Sequence, residues 1–165
     1  MKHRIRFALS HKWAGISVAV VALSLALDQL SKALVISGME IGEHIQLVPG
    51  FLQLTRTFNT GGAFSILGEI PWLFYVLVPL AMLLLLFAVC FGFVRDPLGI
   101  VSCAMIFGGA AGNLIDRVFR GAVVDMIDVY CIRFAIFNVA DCFITVGCIL
   151  LFVYVLFFPE KENVA

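Results

Sequence analysis

"WAGISVAVVALSLALDQLSK", Trp13 to Lys32, decides what kind of protein this chain makes. From Trp13 to Leu27 it carries no charge, and then an acid and a base appear one helical turn apart. Crossing a ~30 Å hydrocarbon core takes about 20 predominantly apolar residues, so the stretch has the length of a membrane span. Lys2, Arg4, Arg6 and Lys12 precede it, as a basic region precedes a secretory leader. The run closes on "LDQLSK" instead of a small-residue A-x-A site, so a retained first helix over about residues 13–35 is expected.

The rest of the chain agrees. Of 165 residues, 62% are hydrophobic and 13% charged, against roughly 25% charged in soluble domains, and the mean hydropathy is +1.09. Such a chain is an integral membrane protein, expected as a single domain over residues 1–165. The formal net charge is zero and the pI about 6.8, which leaves no basic field for nucleic acid. Cys90, Cys103, Cys131, Cys142 and Cys148 include no C-x-x-C pair and read as small hydrophobes.

Three more apolar runs follow, at about residues 72–94, 98–115 and 139–158, each bounded by charge, Gly or Pro. The expected fold is an all-α membrane protein with four transmembrane helices and a small extracytoplasmic β-hairpin or sheet lying on the membrane surface. The short "RDP" at Arg95 to Pro97 joins spans two and three tightly, so the larger connections, 36–71 and 116–138, share the opposite side. Lys2, Arg4, Arg6, Lys12, Arg95 and Lys161 fall on one side; Arg56, Arg117, Arg120 and Arg133 fall on the other. The cluster ahead of the first span places both termini in the cytoplasm and the connections outside.

Within the first connection, "EHIQLVPGFLQLTRTFN" alternates around Pro49-Gly50, a short hairpin pattern. It puts Phe51, Gln53, Thr55 and Thr57 on one face and Leu52, Leu54, Arg56 and Phe58 on the other. Two strands alone are too few to fold independently, so the hairpin is expected to lie over the helix ends.

Depth gives the first hint of function. At 1.5 Å per residue, Asp28 stands roughly 22 Å along span one, Asp116 roughly 27 Å along span three, and Asp141 roughly 25 Å from the far end of span four. Three helices running in alternating directions thus carry acids at one level, near the outer interface. Ionisable groups there are costly and are expected to pair, to face the bundle interior, or to work.

Asp28 and Lys32 have the favourable i, i+4 order for a helix ion pair. In that reading Asp28 ties the helix end to neighbouring backbone or to Lys32, while Lys32 snorkels to the headgroups; the alternative is that Asp28 organises the site, with Asp28 and Lys32 as supporting residues. "FNTGGAF" joins Asn59 to Gly61 and Gly62, either as a plain turn or as a loop whose amides hold an extended substrate. In "GGAAGNLIDR", Gly108 and Gly112 suit close helix packing. Asn113 and Arg117 share a face, with Arg117 able to hold a lipid phosphate or peptide carbonyl, and Asp116 lies elsewhere on the helix, placed to cap a loop. "GAVVDMID" adds Asp125 and Asp128, and "FNVAD" adds Asn138 and Asp141 at i, i+3.

Two acids meeting in a semi-dry pocket cannot both ionise cheaply, so one keeps a proton; the pair then supplies a general base and a general acid. Spacing leaves open which of Asp116, Asp125, Asp128 and Asp141 form that pair. Metal ligation is disfavoured because His3, His11 and His44 are far from the acids in sequence. A His-dependent triad fails for the same reason. A proton-coupled small transporter would need polar residues near mid-membrane, which spans two and three barely offer. A thiol oxidoreductase would need a reactive cysteine pair.

Taken together, "DQLSK" (28–32), "FNTGGAF" (58–64), "GNLIDR" with "VVDMID" (112–128) and "FNVAD" (137–141) closely resemble the lipoprotein signal peptidase (type II signal peptidase) family, over nearly the whole chain. The resemblance implies an intramembrane aspartyl endopeptidase of the bacterial cytoplasmic (inner) membrane with its active site near the outer leaflet. It also implies that the substrates are diacylglyceryl-modified prolipoproteins, cut just before the lipidated cysteine, and that globomycin is an inhibitor. No cofactor is implied, and a monomer is expected. On the motif match, Asp125 and Asp141 correspond to the catalytic dyad, with Asp116 and Asp128 in support. Asn59, Asn113, Arg117 and Asn138 match polar positions that orient dyad and scissile segment.

Overall fold

The computed structural model describes residues 10–61, 71–132 and 134–157. Lys2, Arg4, Arg6, Gly62 to Phe64, Arg133, Phe158 and Lys161, which carry parts of the expectations above, lie outside those residues. In chain order the elements are α1 (His11–Gly38), β1 (His44–Val48), β2 (Leu52–Asn59), α2 (Phe74–Cys90), α3 (Pro97–Arg120), β3 (Val123–Asp128) and α4 (Val139–Phe157).

By length and composition α1, α3 and α4 are each long and apolar enough to cross a membrane. Their outer faces carry exposed apolar side chains such as Leu23, Leu30 and Leu34 on α1 and Phe152 and Val155 on α4. A surface of that kind belongs in lipid, and the chain is a multi-pass membrane protein. α2 is shorter than the run from Trp72 to Val94 suggests: it has 17 residues, about 26 Å of helix, entered through a 3₁₀ turn at Pro71–Leu73. Gly92 explains its early end. With φ 76°, it reverses the chain so that the Phe93 and Val94 N–H groups return to the Ala88 carbonyl at 2.8 and 3.1 Å.

α3 is the central helix, packed against α1, α2 and α4. Its start is well specified: Pro97 supplies a preset φ, and the Asp96 side chain accepts the Leu98 N–H at 2.9 Å. It runs on to Arg120, which places Asp116 and Arg117 in its last turns and not in the connection beginning at 116. Gly121, left-handed at φ 76°, ends it. Glycines set its approach to both neighbours. A Cβ on Gly108 or Gly112 would strike Ser24 or Asp28 of α1, and one on Gly109 would lie 2.5 Å from the Ala140 carbonyl of α4. Without side chains there, the backbones close in and bring their polar residues together.

The expected hairpin is present, and it is two strands of a three-stranded antiparallel sheet in the order β1-β2-β3. β3 is the element the sequence reading missed. Its Val124 and Met126 are buried against Val35 and Met39 at the end of α1. The pairing of β2 with β3 slips by one residue between Leu54 and Thr57, and that bulge breaks the alternation expected of β2. Gln53 pairs with Asp128, whereas Thr57 pairs with Asp125. Because the two acids are three residues apart on one strand, they point to opposite faces. Gln53 and Thr55 therefore follow Asp128, and Thr57 and Asn59 follow Asp125.

Candidate active site

Asp125 is carried by β3 and is 2% exposed. Both of its oxygens accept amide donors: Asn59 Nδ2 reaches Oδ2 at 2.9 Å, and Asn138 Nδ2 reaches Oδ1 at 2.7 Å. The β2–β3 register brings Asn59 there, two residues beyond Thr57 on the same face. The Asn59 oxygen in turn accepts the Gly61 N–H at 3.0 Å, a local turn that fixes the direction of the amide.

Asp141 arrives through the start of α4. Phe137 forms a β-bridge with Ile127 of β3, so the next residue is delivered to the top of the helix. The Asn138 oxygen accepts the Asp141 N–H at 3.0 Å, and Asp141 Oδ2 accepts the Asn138 N–H at 3.1 Å. This reciprocal pair is a capping box, which satisfies two of the orphan donors of the first turn. It is the local reason for an amide and an acid at i, i+3. Asn138 also leans across to Asp125, so one side chain touches both acids.

Asn113 of α3 completes the ring. Its Nδ2 donates to Asp141 Oδ1 at 2.8 Å, and its Oδ1 accepts from Asn138 Nδ2 and from Lys32 Nζ, each at 3.0 Å. Lys32 does not snorkel to the headgroups. It is fully buried and lies 2.9 Å from both Asp28 and Asp116, because three oxygens inside the bundle match its three donors. Asp28 accepts the Ala140 N–H at 3.0 Å, pinning the first turn of α4 to α1. Asp116 accepts the Val124 N–H at 3.1 Å, holding β3 to α3, and pairs with Arg120.

Asp125, Asp141, Asn59, Asn113 and Arg117 line one cavity of about 520 Å³, whose other walls are mainly apolar, including Phe134, Phe137 and Ile144. Arg117 is buried, with its guanidinium 4.2 Å from the centre of the Phe74 ring, a cation–π contact in a dry setting. Its Nε has no partner among the described residues. Burial pushes the Asp125 carboxyl up to about 6, and the charge of Asp141 adds to the effect; the Asn59 and Asn138 amides and Lys32 pull the other way.

Asp128, expected to support the pair, is not brought to this cavity. It lies on the far face of β3, accepting Gln53 Nε2 at 2.6 Å and Thr55 Oγ1 at 3.0 Å, where the strand period sends it. Sequence reasoning also passed over Gln29, which donates to Asp28 and Asp116, and Arg120. The i, i+4 spacing of Asp116 and Arg120 could have revealed the latter. Nothing local links Phe74 to Arg117. All five cysteines are free.

Apolar helices capped by a small sheet bring two carboxylates and two amides to one cavity, with a third amide, Asn138, bridging the acids, an arrangement suited to a membrane-embedded hydrolase of the aspartic class. Comparison with known proteins narrows the class. Residues 20–157 match the family model described as signal peptidase (SPase) II. A lipoprotein signal peptidase of Listeria monocytogenes serotype 4b is 41% identical over 150 residues, covering 90% of this chain and 95% of that one. Its counterpart in Geobacillus kaustophilus is 39% identical over 148 residues, covering 87% and 96%. Two solved structures, both described as a bacterial membrane enzyme studied by the in meso method, are 29% identical to this chain. One has a TM-score of 0.83 and covers 99% of each chain; the other has 0.80, covering 96% of this chain and 100% of its own. The chain belongs to the signal peptidase II family.

Proposed function

We propose that the protein is an intramembrane aspartyl endopeptidase that removes the signal peptide from diacylglyceryl-modified prolipoproteins, cutting just before the lipidated cysteine, with Asp125 and Asp141 as its catalytic pair. The observation that carries the assignment is that these two acids, alone among Asp116, Asp125, Asp128 and Asp141, line the same cavity and share Asn138.

Asp125, whose carboxyl holds its proton up to about pH 6, is the acid, and Asp141 is the base. A water between them gives a proton to Asp141 as its oxygen bonds to the scissile carbonyl carbon. Asp125 then delivers its proton to the amide nitrogen as the C–N bond breaks. The proton left on Asp141 returns to Asp125 before the next turnover. Arg117, whose Nε has no partner among the described residues, would hold a carbonyl of an extended segment. The substrate's lipid tails remain in the bilayer while the sheet covers the peptide from above.

The same reading puts the protein in the bacterial cytoplasmic (inner) membrane, with both termini in the cytoplasm and the cavity near the outer leaflet. The spans are built on α1, α2, α3 and α4, and the two larger connections, from α1 to α2 and from α3 to α4, are outside. Globomycin is the expected inhibitor. A monomer is the expected working unit. The test is incubation of the purified protein with a diacylglyceryl-modified precursor and its unmodified twin. Cleavage of the modified form alone is expected; equal cleavage of both, or of neither, contradicts the substrate assignment.

A further inference from the structure

Arg117 lines the cavity with Asp125 and Asp141, and of all charges these two pull on it most strongly. Yet it pairs with neither. Asp28 and Asp116 hold Lys32, Asp116 also holds Arg120, and no carboxylate among the described residues holds Arg117. Its hydrogen bonding is sparse: Nη1 donates to the Asn113 carbonyl at 3.4 Å, one turn back on α3, and Nε has no partner among the described residues. The close contact is Phe74, the first residue of α2, whose ring centre lies 4.2 Å from the guanidinium carbon. Its neighbour Tyr75 grips the same position, donating its hydroxyl to the Arg117 carbonyl at 2.8 Å.

A buried arginine beside two carboxylates has an alternative, which is to pair with one of them. That pair would disable the site. An opposite charge at contact distance favours the ionised carboxylate, so a guanidinium on Asp125 would displace the proton this acid must deliver. On Asp141 it would weaken the base and cancel the charge that helps Asp125 keep its proton. An aromatic ring attracts a cation through its quadrupole and brings no charge of its own. We infer that Phe74 is a positioning residue for the reaction: its ring face holds the Arg117 guanidinium off Asp125 and Asp141, so that the cation is kept for the substrate. The inference rests on the catalytic reading of the two acids. The other charges acting on Asp125 are Asp141 of α4 and Lys32 of α1. β2 faces it with the Asn59 amide, α3 carries Asp116, already held by Lys32 and Arg120, α2 offers the Tyr75 hydroxyl, and the Cys142 thiol follows Asp141 on the cavity wall.

The experiment compares the parent, Phe74→Leu, Arg117→Gln and the double variant Phe74→Leu/Arg117→Gln in nanodiscs. The first readout is the infrared carbonyl band of protonated Asp125, assigned by its loss in Asp125→Asn and followed as pH is raised. In Phe74→Leu the released guanidinium is expected to bring the midpoint of this band below the parent's value of about 6, by about one pH unit or more. In the Arg117→Gln background the same substitution is expected to leave the midpoint where it was. Phe74→Tyr, which keeps a ring, is expected to titrate like the parent. The second readout is cleavage of the lipidated precursor, where Phe74→Leu is expected to lose kcat/KM at correspondingly lower pH. An unchanged midpoint in folded Phe74→Leu overturns the inference. So does a midpoint that falls equally with and without Arg117, the behaviour of a ring that merely keeps water from the cavity. The infrared readout does not depend on cleavage, so a parent that fails to process the precursor defeats the catalytic reading while the hold of Phe74 on Arg117 is still decided.

Discussion

Asp125 is a carboxyl that the fold holds at some expense. Its carboxyl is raised in the native state from 3.8 to about 6. The native state therefore favours the protonated form, and the stability this contributes, full below pH 3.8, is lost as pH rises through 6. Asp125→Asn removes that dependence. The stability of the variant relative to the parent should rise by up to about 3 kcal/mol between pH 4 and pH 7, visible in melting temperatures taken across that range. A difference that is flat with pH contradicts the shift. The proposed catalysis has the same interest, since its acid must keep its proton. In the parent, kcat/KM for a lipidated precursor is expected to decline as pH rises through about 6. At this scale the sequence was informative about residue types and poor about neighbours. Asn138 and Asp141 were legible as a pair, and the capping box explains their spacing. The burial of Lys32 was not, because its third oxygen comes from Asn113, 81 positions away.

The elements differ in how much of them could be read. The apolar runs gave the helices, and Pro49-Gly50 gave the first two strands. β3 stayed hidden because its partner β2 lies far off in sequence, with no turn between them to announce the pairing. The β2 bulge was equally hidden, since nothing local distinguishes Thr55 and Arg56 from their neighbours, yet it sorts Asn59 toward Asp125 and Thr55 toward Asp128. Helix crossings make a separate test. Gly109→Ala would force its new methyl to 2.5 Å from the Ala140 carbonyl, just ahead of Asp141, and is expected to cost about 1–3 kcal/mol. Gly15 of α1 has nothing within 4 Å of an added Cβ, so Gly15→Ala should stay within about 1 kcal/mol of the parent. Thermal melts of the two variants in one detergent check the contrast; equal melts contradict the close approach of α3 and α4.

At the scale of the whole molecule, a membrane bundle supplies three layers: a lipid-facing exterior, a buried ionic layer around Lys32, and a cavity roofed by the sheet. The order of the layers explains why an apolar chain of this length carries so many acids at one depth. The composition and the spans announced the first layer, but the second and third exist only once α1, α3, α4 and β3 are brought together. Orientation is testable with a native side chain. Cys131 is exposed in the connection after β3, and a membrane-impermeant maleimide should label it from outside in intact cells, with labelling reduced in Cys131→Ser. Labelling only after the membrane is opened contradicts the proposed topology. The most direct measurement of the central claim is single-turnover cleavage of a diacylglyceryl-modified precursor by reconstituted Asp125→Asn and Asp141→Asn, each first shown to be folded by its melting transition. Both variants are expected to lose cleavage by about ten-thousandfold or to below detection; a folded variant of either kind cutting at the parent's rate would contradict the account.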